Sequence, residues 1–129
     1  MVAGKPAVSN PKKVVVNLST VELAIDHYVA VMRAGQSSGV EQLFAADFNQ
    51  KVQGLDDKTN NRSEVISFLK KQKGEQLNCT TSTTIVEESN DYMVAKVTMQ
   101  FDGFTKTDVV TLVNDGGNWK VSQSINSYK

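Results

Sequence analysis

The sequence predicts an α+β domain in which N-terminal helices pack in the concave face of a curved antiparallel sheet. Helix-period apolar residues run only as far as about Lys73. Beyond it, strand-like alternation recurs between strong turn signals to the C-terminus. Size agrees: 129 residues make one ordinary domain, with a core that needs neither metal nor disulfide.

Residues 1–13 carry Pro6, Pro11, Lys12 and Lys13 without apolar periodicity, and read as a flexible lead-in. Residues 14–129 are then the single domain, with Val14, Val15 and Val16 the first segment that wants burial. The first helix opens at Ser19-Thr20-Val21-Glu22, which fits a Ser-x-x-Glu capping box. Val21, Ala24, Ile25, Tyr28, Val29 and Met32 give it one apolar face, and Gly35 stops it. A short helix around Val40 to Phe44 turns Leu43 and Phe44 inward. Phe48 to Gly54 reads as a strand and Leu55 to Arg62 as a polar loop. Ser63 caps a third helix through Val65, Ile66, Phe68 and Leu69 to about Lys73.

The remainder is β. Thr80 to Glu87 is rich in Thr and β-branched residues, which suit a pleated, half-buried surface. Asn90-Asp91 turns into Tyr92 to Phe101, where Met93, Ala95, Val97, Met99 and Phe101 alternate with other residues. Asp102-Gly103 is a hairpin signal before Phe104 to Val113. Asn114 to Asn118 is the last turn, and Trp119, Val121, Gln123 and Ile125 share one phase of the final strand. A bent sheet over a few helices tends to leave a cavity between the layers.

Composition excludes several functions. Fourteen basic residues balance fourteen acidic ones, so the excess of cations that nucleic-acid binding rests on is missing. One Cys and one His supply neither an internal disulfide nor an ordinary zinc site. No apolar run reaches the roughly 20 residues that span a bilayer. No cofactor, metal, nucleic-acid or membrane partner is therefore expected.

Several marks resemble the nuclear transport factor 2-like superfamily, of cystatin-like fold, and within it the small bacterial group named for lumazine binding. They are Tyr28-Val29-Ala30, Ala34-Gly35, Leu43-Phe44-Ala45-Ala46-Asp47-Phe48, the helix from Ser63 to Lys73, and Gly117-Asn118-Trp119-Lys120-Val121. The resemblance runs from about Ser19 to Tyr128. It implies a cone of helices and sheet that hosts dehydratases, isomerases, cyclases, transport factors and binding domains alike. It also implies pairing through the sheet, hence a homodimer. Within this superfamily, the ketosteroid isomerases carry a Tyr on the first helix, where Tyr28 falls. Their downstream Asp base falls on Val52, which cannot accept a proton, while Asp108 is a candidate for the second acid.

Other candidates have plain explanations. His27 and Asp26 are neighbours on a helix and do not face each other. Cys79 lacks an obvious base, Lys70, Lys71 and Lys73 complement a helix dipole, and Glu87, Glu88 and Asp91 sit at a turn. Gly116-Gly117 lacks the strand–helix context of a phosphate loop. The expected function is thus a binding domain without catalytic machinery, holding a small apolar or aromatic ligand. Its pocket candidates are Tyr28, Met32, Phe44, Phe48, Phe68, Val97, Met99, Trp119 and Gln123. The alternatives are an enzyme using Tyr28 and Asp108, and an interaction module. Ala3-Gly4-Lys5-Pro6 after Met1 fits an exported chain whose signal has been removed, so a periplasmic or secreted location is expected.

Overall fold

A computed structural model describes residues 15–54 and 56–129. The expected lead-in, residues 1–13, lies outside the described residues, as do Val14 and Leu55. Of the valines expected to seek burial, Val15 is exposed and Val16 half-buried.

Helix α1 (Val21–Ala34) is capped by Thr20, whose side chain accepts from the Leu23 backbone N–H at 3.2 Å. The expected Ser19–Glu22 box does not form. The Ser19 N–H that it would satisfy donates instead to Asn17 Oδ1 at 3.0 Å. The helix buries Val21, Ala24, Ile25, Tyr28 and Val31, and it ends at Gly35 in the left-handed region, φ 68°. The segment after the third helix is tied to this end. Gly74 N–H donates to Gly35 O at 3.0 Å, and Leu77 N–H to Arg33 O at 2.7 Å.

Helix α2 (Val40–Leu43) runs directly into β1 (Phe44–Val52), so the strand begins four residues before the expected Phe48. Strand β2 (Lys58–Asn61) lies inside the expected polar loop and pairs antiparallel with β1. It is an edge strand of polar residues, fastened partly by Asn60 Nδ2 donating to Gln50 Oε1 at 2.9 Å. Helix α3 (Arg62–Lys71) is capped by Asn61 rather than Ser63, and a reciprocal box with Glu64 decides this. Glu64 N–H donates to Asn61 Oδ1, and Asn61 N–H to Glu64 Oε1, each at 2.9 Å.

Strands β3 (Thr80–Glu88), β4 (Tyr92–Phe101), β5 (Phe104–Asp115) and β6 (Asn118–Tyr128) form the expected meander. The six-stranded sheet has the order β2-β1-β6-β5-β4-β3. One pairing departs from the antiparallel expectation, because β1 and β6 run parallel. Such neighbours need a long crossover, here everything from β2 to β5. The sheet is curved and does not close, and the helices cover its concave face.

Inside the cone, one end is filled by apolar side chains. Leu18, Tyr28, Leu43, Phe44, Met99, Leu112 and Val121 are at most 1% exposed and belong to a continuous apolar core. Phe44 and Phe48 meet there as a tilted pair with centroids 4.5 Å apart. This packing tolerates little change where backbones touch. A Cβ on Gly35 would lie 2.6 Å from Glu75 N and O and 2.8 Å from Gly74 N.

Gly35→Ala is therefore expected to cost about 1–3 kcal/mol, from the positive φ and the backbone clash together. Urea unfolding checks this, and an unchanged midpoint would contradict it.

Candidate functional site

The register of β5 and β6 builds the site. On β5 the inward positions are Lys106, Asp108, Val110 and Leu112, two residues apart as a pleat requires. On β6 the pairing slips between Thr111 and Leu112 of β5, leaving Ser122 without an opposite residue. Beyond that bulge Ser124 and Asn126 turn inward and are buried. Asp108 then lies opposite Asn126, and Lys106 opposite Tyr128. The concave face is thus apolar toward Leu112 and Val121 and polar toward Lys106 and Asn126.

Tyr28 of α1 meets this boundary. Its hydroxyl donates to Asp108 Oδ2 at 2.8 Å and lies 2.8 Å from Ser124 Oγ. Asn126 Nδ2 donates to Ser124 Oγ at 2.8 Å, and Lys106 Nζ to Asp108 Oδ2 at 3.1 Å. Tyr28 has one proton and spends it on the carboxylate, so the Ser124 hydroxyl donates to Tyr28. The proton directions run from Asn126 through Ser124 and Tyr28 to Asp108 Oδ2, the same oxygen to which Lys106 donates. Asp108 Oδ1 has no hydrogen-bond partner among the described residues. Burial, and after it the Asp108 charge, push the Tyr28 hydroxyl well above its ordinary pKa. Tyr28 is therefore held neutral as a donor.

A hollow of about 640 Å³ opens beside this network, between α1, α3 and the polar end of the sheet. Met32, Phe68, Leu77, Phe101, Phe104 and Tyr128 give it an apolar wall. Gln50, Lys58, Asn60, Lys106 and Asn126 give it a polar one. Tyr28 and Asp108 do not border it; both are 0% exposed, sealed behind Lys106 and Asn126.

Of the residues singled out from sequence, Met32 and Phe68 border the hollow. Tyr28, Phe44, Phe48, Val97 and Met99 are packed in the core and do not line it, because helix and sheet meet tightly at the closed end. Trp119 is half-buried near the start of β6, where its backbone N–H donates to Leu18 O at 2.8 Å. Gln123 falls out of phase with Val121 through the bulge and donates to Asn49 Oδ1 at 3.2 Å. Sequence reasoning missed Lys106, Ser124 and Asn126. The two-residue step from Lys106 to Asp108 was a usable signal, but the bulge hid the other two.

The remaining candidates lie apart from the hollow. His27 Nε2 is 2.7 Å from Ser38 O, and Cys79 is a buried free thiol. Lys70 pairs with Glu41 at 3.2 Å on the exposed surface. Among the described residues no group of His, Cys, Asp and Glu could hold a metal ion. No helix there is long and apolar enough to cross a membrane.

Helices in the concave face of an open six-stranded sheet define the nuclear transport factor 2-like fold, and solved structures agree. An NTF2-like protein of unknown function from Silicibacter pomeroyi is 16% identical, covering 84% of this chain and 91% of that one at a TM-score of 0.68. A protein of unknown function from Pectobacterium atrosepticum is 17% identical, with coverage of 87% and 90% and a TM-score of 0.68. One from Parabacteroides distasonis, provisionally described as a ketosteroid isomerase, is 11% identical, with coverage of 84% and 86% and a TM-score of 0.62. At such identities the likeness shows the fold alone. More narrowly, residues 44–125 match the C-terminal domain of the low molecular weight antigen MTB12, and the chain belongs to that family. No curated protein matches it. The finer resemblance to the lumazine-binding group gains no support from these matches.

Tyr28→Phe is expected to cost about 1–3 kcal/mol in urea unfolding, because a buried carboxylate loses a donor. Folding raises the Tyr28 pKa. Its contribution is therefore complete below the unfolded-state value, about 10, and is lost as pH rises toward the folded-state value. Wild type should lose more stability than Tyr28→Phe between about pH 9 and pH 11. Equal losses would contradict the buried, neutral phenol.

Proposed function

We propose that this domain binds a small, largely apolar molecule in the hollow at the open end of the cone. The observation that carries the reading is the hollow's size and two-sided wall. A volume of about 640 Å³ falls within the roughly 300–1,000 Å³ of ordinary ligand sites, and apolar walls with a few polar groups are their usual lining. Phe68, Phe104 and Tyr128 stay 60%, 44% and 52% exposed around it. Burial of these rings by a ligand supplies the favourable term, since removing apolar surface from water drives association.

An isomerase-like or dehydratase-like enzyme is the second reading, favoured by the 2.8 Å contact between Tyr28 and Asp108. It is the weaker one. Neither group borders the hollow, so neither reaches a substrate there. Val52, at the position the ketosteroid isomerases give to their base, does border it and cannot move a proton.

The domain is further proposed to pair through the convex face of the sheet. Half-buried Val94, Val109, Val113 and Ile125 support this, since they lie in the outward phase of β4, β5 and β6, interleaved with Lys96, Thr111 and Lys120.

Native mass spectrometry of protein purified under gentle conditions is expected to show a mass excess that denaturation releases. A uniformly empty protein that also fails to bind any small aromatic or apolar probe would contradict the binding reading. Light scattering is expected to return about twice the 14.1 kDa chain mass. A single-chain mass across concentrations would remove the pairing.

A further inference from the structure

We propose that the ligand of this hollow is an aromatic acid and that Lys106 is its polar anchor, an inference that rests on the hollow being a ligand site. Lys106 is the charged side chain best fixed in the lining. It is 15% exposed, and its ammonium is held 3.1 Å from Asp108 Oδ2. Asp108 is in turn held by Tyr28 and lies beneath the floor of the hollow. An ammonium has three N–H donors, and Asp108 is its sole hydrogen-bond partner among the described residues. Two donors remain for an acceptor that enters the hollow.

The charges in the lining are segregated. On the sheet side they are the ammonium groups of Lys58 and Lys106; the carboxylates, Glu64 and Glu75, come from α3 and the loop after it. Glu64 is already engaged by the Asn61 backbone N–H at 2.9 Å. An acid therefore finds cationic N–H donors against the sheet, those Lys106 does not spend on Asp108 and those of Lys58. A charge-assisted hydrogen bond to a carboxylate or sulfonate is roughly twice as strong as a neutral one.

The ring has a matching place. Phe101 and Phe104 stack with centroids 4.6 Å apart and planes 7° from parallel, and Tyr128 lies 6.3 Å from Phe104. Tyr128 is the cross-strand partner of Lys106, and Phe104 precedes Lys106 by two residues. Phe104 and Tyr128 thus share the inner face of the sheet with Lys106, while Phe68 borders the hollow from α3. A flat ring lies against these surfaces with its acid group turned to Lys106.

The test is a pair of fluorescent probes with one aromatic body, anilinonaphthalene sulfonate and the uncharged N-phenylnaphthylamine. Wild type is expected to bind both, the sulfonate more tightly. Phe68→Ala should weaken both by a similar factor. Lys106→Met should weaken the sulfonate about tenfold and the neutral probe less than about twofold. Because Lys106→Met leaves Asp108 unpaired, Lys106→Met with Asp108→Asn is measured alongside it, and the same selective loss is expected. Equal binding of the two probes, or a sulfonate affinity unmoved in the double variant, overturns the anchor and leaves the binding site standing. Failure of both probes to bind wild type overturns the site and the anchor together.

Discussion

A carboxylate with no solvent exposure sets the terms for this molecule. Asp108 sits on the inner face of β5, where an isolated charge is several kcal/mol less stable than in water. It is tolerable because Tyr28 and Lys106 both donate to its Oδ2, while Ser124 and Asn126 complete the chain behind Tyr28. These contacts hold α1 at one height above the sheet. On one side of that level the cone is filled with Leu18, Leu43, Phe44 and Leu112. On the other side the hollow opens. The polar network is the partition between them, and it orients the two polar residues, Lys106 and Asn126, that border the open side.

Much of this architecture was legible in the chain, and the gaps have physical causes. The apolar face of α1 and the alternation of β4 follow from periodicity, since burial enforces 3.6 and 2 residue repeats. Cap positions moved by one or two residues because local acceptors compete: Asn17 takes the Ser19 N–H, and Asn61 outcompetes Ser63 through its exchange with Glu64. Strand β2 carries no apolar signal, as an edge strand of Lys58 to Asn61 needs none. The parallel pairing of β1 with β6 is a tertiary fact that no local pattern encodes.

The candidate site was harder to read for a related reason. Met32 and Phe68 border the hollow because they lie on helix faces toward the open end. Phe44, Phe48, Val97 and Met99 share their apolar character, yet they sit where the layers meet. Composition does not say where along a cone the filling stops. At Ser122 one unpaired residue reverses the phase of β6, trading Gln123 for Ser124 and Asn126 on the inner face. A single bulge thereby decides which side chains build the network. The fold hosts many chemistries, so the chemistry must be argued from these particular groups. The proposal that the domain holds a molecule rests on a neutral, sealed Tyr28 and a valine at position 52.

A high-resolution crystal structure of the protein grown with a small aromatic acid examines the central claim most directly. The expected result is density for the acid between Phe68 and Phe104, its oxygens on Lys106, with the Tyr28 hydroxyl still on Asp108. A hollow closed by inward-turned Phe68 and Phe104, or a Tyr28 hydroxyl swung out to meet the acid, would contradict it.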